Sequence, residues 1–196
     1  MVTRPRDCSW VSADFENITS QDFDYKRDCK SDPDDDYNCI AWAVGKTDNW
    51  WWPNPTAPYY WPNGLPKEPP HVAETLANFI AAFQTEGFKR CWNGRYSGKY
   101  EKVAIFVNNK GRPTHAARLL TTGAWSSKLG PSEDIEHRTL ECIQGRGYGR
   151  VAVFLKRKLP LEKTNPIARL RSFLSQLLRK PPSKSSPIPK ETPTAS

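Results

Sequence analysis

Residues 101–122 read EKVAIFVNNKGRPTHAARLLTT, two short runs of β-branched, aromatic and small apolar residues on either side of Asn-Lys-Gly-Arg-Pro. Runs of this length, bounded by Gly, Asn and Pro, predict strands joined by a tight connection rather than a helix. Two stretches of the same kind follow, AWSSKLG at 124–130 and GRVAVFLKR at 149–157. Together they predict an antiparallel meander.

Upstream of the strands the apolar spacing is helical. In PHVAETLANFIAAFQTE (70–86), Val72, Leu76, Phe79, Ile80 and Phe83 share one helical face, and Gly87 supplies a C-terminal stop. Residues 38–44 are apolar and Ala-rich, with Asp36 or Asn38 able to cap the first turn and Gly45 placed to end it, which predicts a short buried helix opening with Cys39. The segment between, DNWWWPNPTAPYYWPNGLPKEPP (48–70), holds too much Pro, Asn and Gly for regular structure and predicts a long loop anchored by its rings. Helices followed by strands give an α+β class.

The chain has 196 residues, five cysteines and a net charge of +8. That length suits one domain with a tail. Residues 150–196 carry eleven Lys/Arg against two Asp/Glu, so the remainder is close to neutral and offers no basic stripe for a nucleic acid. We divide the chain into an acidic N-terminal arm (1–29), an α+β domain (30–158), a basic amphipathic helix (159–180) and a Pro/Ser/Lys-rich tail (181–196) expected to be disordered. Within the third part Asn165-Pro166 starts a helix whose Ile167, Leu170, Leu174, Leu177 and Leu178 share a face, suited to a protein partner or an anionic membrane surface. An odd number of cysteines, no CxxC pair and no apolar leader lead us to expect a cytoplasmic protein with free thiols. No run approaches the ~18 apolar residues of a membrane span. Neither CxxC nor HxxxH spacing occurs, so no metal and no cofactor are expected.

Cys39 and His115 carry the candidate chemistry. If Thr114–Leu119 is a strand, His115, Ala117 and Leu119 share a face, which we expect the helix to cover. A thiol at a helix start, facing an imidazole on a neighbouring strand, is the arrangement that makes a thiolate nucleophile. The imidazole matters most: a helix end contributes up to ~2 kcal/mol, whereas a paired imidazolium takes a thiol from ~8.5 to ~4.

The motifs YNCIAWAVG, WWWP, YWPNG, PTHAARLL, WSSKLG and IEH together resemble those of an uncharacterised bacterial domain-of-unknown-function family over residues 37–156. In layout, a helix bearing Cys and then a strand opening with His, the chain is similar to papain-like cysteine hydrolases of the NlpC and CHAP kind. That resemblance implies a papain-like fold, with N-terminal helices packed on an antiparallel sheet and here a C-terminal amphipathic helix. It implies Cys39 as nucleophile and His115 as general base, with an orienting group from Ser126, Ser127, Asp134 or His137, of which Ser127 and His137 are the chosen candidates. The chain departs from it in placing Asn38-Cys39-Ile40 where NlpC-type proteins often carry Asp-Cys-Ser.

The first expectation is therefore a cysteine hydrolase or acyltransferase acting on a peptide-like or acyl substrate, an amide or ester. Its substrate contacts would come from Tyr37, Asn38, Trp51, Trp52, Trp61, Trp125 and Lys128. The alternative is a catalytically inert interaction module in which Cys39 and His115 are packing residues, and the aromatic loop or the basic helix meets a partner.

Overall fold

Asn38 has the extended backbone of an N-cap, and its Oδ1 accepts the Ala41 N–H at 3.1 Å, starting α3 (Cys39–Val44); Gly45, at φ +85°, ends it as expected. The same side chain holds the next segment, because Trp51 N–H donates to Asn38 Oδ1 at 3.2 Å and Asn38 Nδ2 donates to Trp51 O at 3.0 Å. The second long apolar segment becomes α4 (Leu76–Thr85); Thr75 caps it through its hydroxyl, so the helix begins there rather than at Pro70. Two further short helices, α1 (Val11–Asp14) and α2 (Tyr25–Asp28), precede α3. The computed structural model describes residues 8–56, 58–68 and 72–159; the helix and tail expected at 165–180 and 181–196 lie outside the described residues.

Among the described residues six strands form one antiparallel sheet. They are β1 (Lys89–Cys91), β2 (Tyr100–Val107), β3 (Pro113–Leu119), β4 (Trp125–Lys128), β5 (Asp134–His137) and β6 (Arg150–Lys158), in the order β1-β6-β2-β3-β4-β5. β2 to β5 run as a meander, and β6 returns between β1 and β2. β1 and β5 have no clear strand pattern, being short and carrying two charged residues each.

Pairing fixes which residues share a face. Ile105 opposes Ala116, and Val103 opposes Arg118; this face meets α3, α4 and the buried rings Trp51 and Trp61. Ala104 opposes Ala117, and Phe106 opposes His115; with Trp125 and Ile135 these build a second core on the other face. That core is closed by Cys8, Val11, Phe15, Phe23 and Cys29 from the N-terminal segment and by Cys142 and Ile143. The acidic arm is thus packed against the sheet where it is described. Its sparse apolar residues are spaced to cover a sheet face that would otherwise lie bare, and burying Phe15 and Phe23 stabilises the fold by about 2 kcal/mol each.

The expectation that all thiols are free is also corrected. Cys8 and Cys29 form a disulfide with Cα atoms 6.0 Å apart, while Cys39, Cys91 and Cys142 are free. No described helix is long and apolar enough to cross a membrane. The disulfide bridges a sequence separation of 21 residues, and opening it by Cys29→Ser or by reductant is expected to lower stability by about 3 kcal/mol. Urea unfolding with and without reductant measures this; an unchanged midpoint in both comparisons would count against the bond.

Candidate functional site

Cys39 lies in the helix-side core with Ala116. Burial pushes its thiol up to about 11, against a smaller lowering by the backbone N–H groups of Ala116, Cys39 and Ile40. His115 projects to the other side of β3, where its ring stacks on Tyr148 at 3.9 Å and meets the edge of Phe106 at 5.4 Å. The expectation that the helix covers the Leu119 face is therefore reversed. α3 lies over the Ala116 and Arg118 face, where the Arg118 guanidinium sits 3.6 Å from the Trp42 ring and Trp42 Nε1 donates to Ser126 Oγ at 3.1 Å. Alternation separated the two faces correctly, but both faces are covered, so an apolar Leu119 does not mark the helix side. Among the described residues no hydrogen bond joins Cys39 to His115.

His115 instead belongs to a buried polar chain. Its Nε2 lies 2.9 Å from Ser127 Oγ, which lies 2.9 Å from His137 Nε2, and His137 Nδ1 lies 2.7 Å from Thr139 O. The tautomers follow from that order. A carbonyl only accepts, so His137 Nδ1 carries the proton and its Nε2 accepts the Ser127 hydroxyl; Ser127 Oγ then accepts from His115 Nε2–H. His115 Nδ1 is left as a buried lone pair without a hydrogen-bond partner among the described residues. Both rings are neutral, because burial holds His115 well below its usual value and His137 down to about 4. Cys142 extends the chain, its sulfur donating to Thr139 O at 3.0 Å.

A second polar group lies under α3. Tyr37 donates to Asp134 Oδ2 at 2.7 Å, and burial raises both the Tyr37 phenol and the Asp134 carboxyl. The Lys128 ammonium donates to the backbone carbonyls of Asp34 at 2.5 Å and Gly130 at 2.9 Å, and to Ser132 O. In the same loop as Asp34 O, the carboxylates of Asp34, Asp35 and Asp36 lie within 4.8 Å of one another. These ties account for Tyr37, Asn38 and Lys128 as interior residues.

The remaining expected substrate contacts are also drawn inward. Trp51 and Trp61 are buried beside α4, Trp125 is buried in the opposite core, and half-buried Trp52 donates through Nε1 to Glu74 Oε1 at 3.0 Å. Of the candidate catalytic set, His115, Ser127 and His137 meet, and Cys39 stands apart from them. Sequence reasoning missed the Arg118–Trp42 and Tyr37–Asp134 pairs, which join residues 76 and 97 positions apart. It also missed Trp92, 99% exposed, which only its place before the turn residues Asn93-Gly94 could have flagged.

Fold and site define an α+β domain with a helix-covered antiparallel sheet and a buried His-Ser-His chain on the sheet's other side. The chain belongs to the family described as Domain of unknown function (DUF7689), whose model matches residues 28–156. No curated protein and no solved structure matches the chain.

The neutral histidines make stability depend on pH. His137 titrates at about 4 when folded against 6.5 ordinarily, so the unfolded chain takes its proton first as pH falls. Its contribution is complete above pH 6.5 and is lost towards pH 4, by up to about 3 kcal/mol. Urea unfolding at pH 7 and pH 5 is expected to show this loss, with a smaller difference in His137→Gln; equal slopes for the two proteins would contradict the assignment.

Proposed function

We propose that this protein is a non-catalytic interaction module in which Cys39 and His115 are packing residues. The observation that carries this reading is their separation: thiol and imidazole sit in different cores without a shared hydrogen bond. With its thiol pushed up to about 11, Cys39 would be thiolate in roughly one molecule in ten thousand at pH 7, too few for a poised nucleophile. The bulk of the aromatic loop supports the same reading, since Trp51 and Trp61 anchor it to the domain.

A second reading, a papain-like cysteine hydrolase or acyltransferase, is favoured by one feature. The lone pair on His115 Nδ1 is unused, its Nε2–H is fixed by Ser127 and His137, and Cys39 meets the N–H of the adjacent Ala116. A rearrangement bringing Nδ1 to the sulfur would let His115 take the thiol proton as Cys39 attacks an amide or ester carbonyl.

The rate of Cys39 alkylation by iodoacetamide against pH, followed by peptide mass spectrometry, separates the two readings. The module requires slow modification of Cys39 in the folded protein, with no titration below ~8.5 and no change in His115→Ala. A thiol titrating near neutrality, with that behaviour lost in His115→Ala, would replace the module with the hydrolase.

A further inference from the structure

Charge is distributed unevenly across the sheet. Residues 14–36, which reach the β5 edge through the Cys29–Ile135 bridge and the Lys30 N–H to Asp134 O bond, carry nine Asp/Glu against three Lys/Arg. At the opposite edge, residues 89–102 and 150–158 carry nine Lys/Arg and one acid, Glu101, which Arg157 neutralises at 2.5 Å. Lys89, Arg90, Arg95, Lys99 and Arg150 are exposed there.

This basic edge is only partly closed. β1 pairs with Phe154, Leu155 and Lys156, so among the described residues no strand lies on that side of residues 150–153 of β6. Gln144 Oε1 takes the Val151 N–H at 3.2 Å, and the edge beyond it borders a groove of about 660 Å³ lined by Arg90, Cys91, Trp92, Val151, Val153 and Phe154. Trp92 stands beside the groove with its side chain in solvent on a fixed base. Cys91 before it pairs with Phe154, while Asn93 after it accepts the Lys102 ammonium at 3.0 Å and the Arg95 N–H at 3.1 Å. Gly94 presses on Phe154 and Trp125 so closely that a Cβ there would meet both rings at 2.7 Å.

We propose that the β6 edge is a docking site for an extended segment of another protein, one that alternates acidic and apolar residues. The segment adds to the sheet along the line β1 leaves at Cys91. It pairs its backbone with Ala152 and Val153, sets an apolar side chain against Trp92 and Phe154, and directs its carboxylates to Arg90 and Arg150. Each part matches a known need: an open edge supplies backbone hydrogen bonds, a groove selects alternate side chains, and a pre-organised exposed Trp is the residue type that anchors interfaces. The one-sided charge selects the acidic partner. The inference gives the interaction reading its surface and rests on it.

The test uses the full chain and three fluorescent probes: the peptide ELEVELEVG, its counterpart KLKVKLKVG, and a 15-nucleotide oligo-dT. Polarisation is expected to show binding of the acidic peptide, weakened at least tenfold in Trp92→Ala and in Arg90→Glu. Binding should be abolished when alternate peptide amides on the pairing edge are N-methylated, with little response from the other probes. Both substitutions are at exposed positions, and an unchanged thermal midpoint verifies the fold. Equal binding of both peptides, indifference to Trp92→Ala or to N-methylation, preference for oligo-dT, or no binding at all would each overturn the proposal. Binding that survives Trp92→Ala leaves the module reading in place with another surface, whereas that reading itself fails only on the Cys39 alkylation profile.

Discussion

The side-chain amide of Asn38 is the point on which the helix-covered half of the domain depends. One oxygen accepts both the Ala41 N–H in the first turn of α3 and the N–H of Trp51, and the amide nitrogen returns a bond to Trp51 O. A residue of any other shape at this position would leave buried backbone groups unpaired, each at a penalty of about 1–3 kcal/mol. Because the aromatic loop is tied to the helix start, Trp52 and Trp61 fall against Phe79, and Asn78 then receives the Trp61 indole at 3.4 Å. Helix, loop and α4 are thus set by two buried asparagines rather than by apolar packing alone.

The other half follows from a sheet that is apolar on both sides. β2 is buried from Lys102 to Val107 and alternates its side chains between two cores, so a layer is needed beneath as well as above. The N-terminal segment supplies it, stapled by Cys8–Cys29. This arrangement parts the cysteine from the histidine. Small residues at Ala116 and Ala117 let a layer approach each face closely, and the strand between them keeps the α3 thiol on one side and the imidazole, clamped by Tyr148 and Ser127, on the other.

Much of this was legible in the residues. The cap and stop of α3, the apolar stripe of α4 and the strands about Asn-Lys-Gly-Arg-Pro are local signals, read within a few positions of each other. β1 and β5 were not, because three or four residues, two of them charged, become strands only when a longer neighbour offers its edge. The face of β3 covered by α3 was not legible either, since it turns on Arg118 stacking under Trp42, a contact between distant segments that makes a charged residue an inward one. Pairing of Cys8 with Cys29 gave no spacing motif. Ser127 and His137 were legible only as orienting groups that the papain-like resemblance implied; that His137 would lie on a strand of its own and Ser127 between two neutral rings required the fold.

Lys128 has a consequence for the acidic loop. Its ammonium stands where backbone carbonyls from two loops converge, an oxygen-rich setting of the kind that elsewhere holds a bound calcium ion. Here the positive centre is covalently part of a strand. It cannot be chelated or diluted away, so the bonds to these carbonyls need no bound ion. It depends instead on a single side chain, because losing this one buried amine would leave the converging carbonyls with no cation to face.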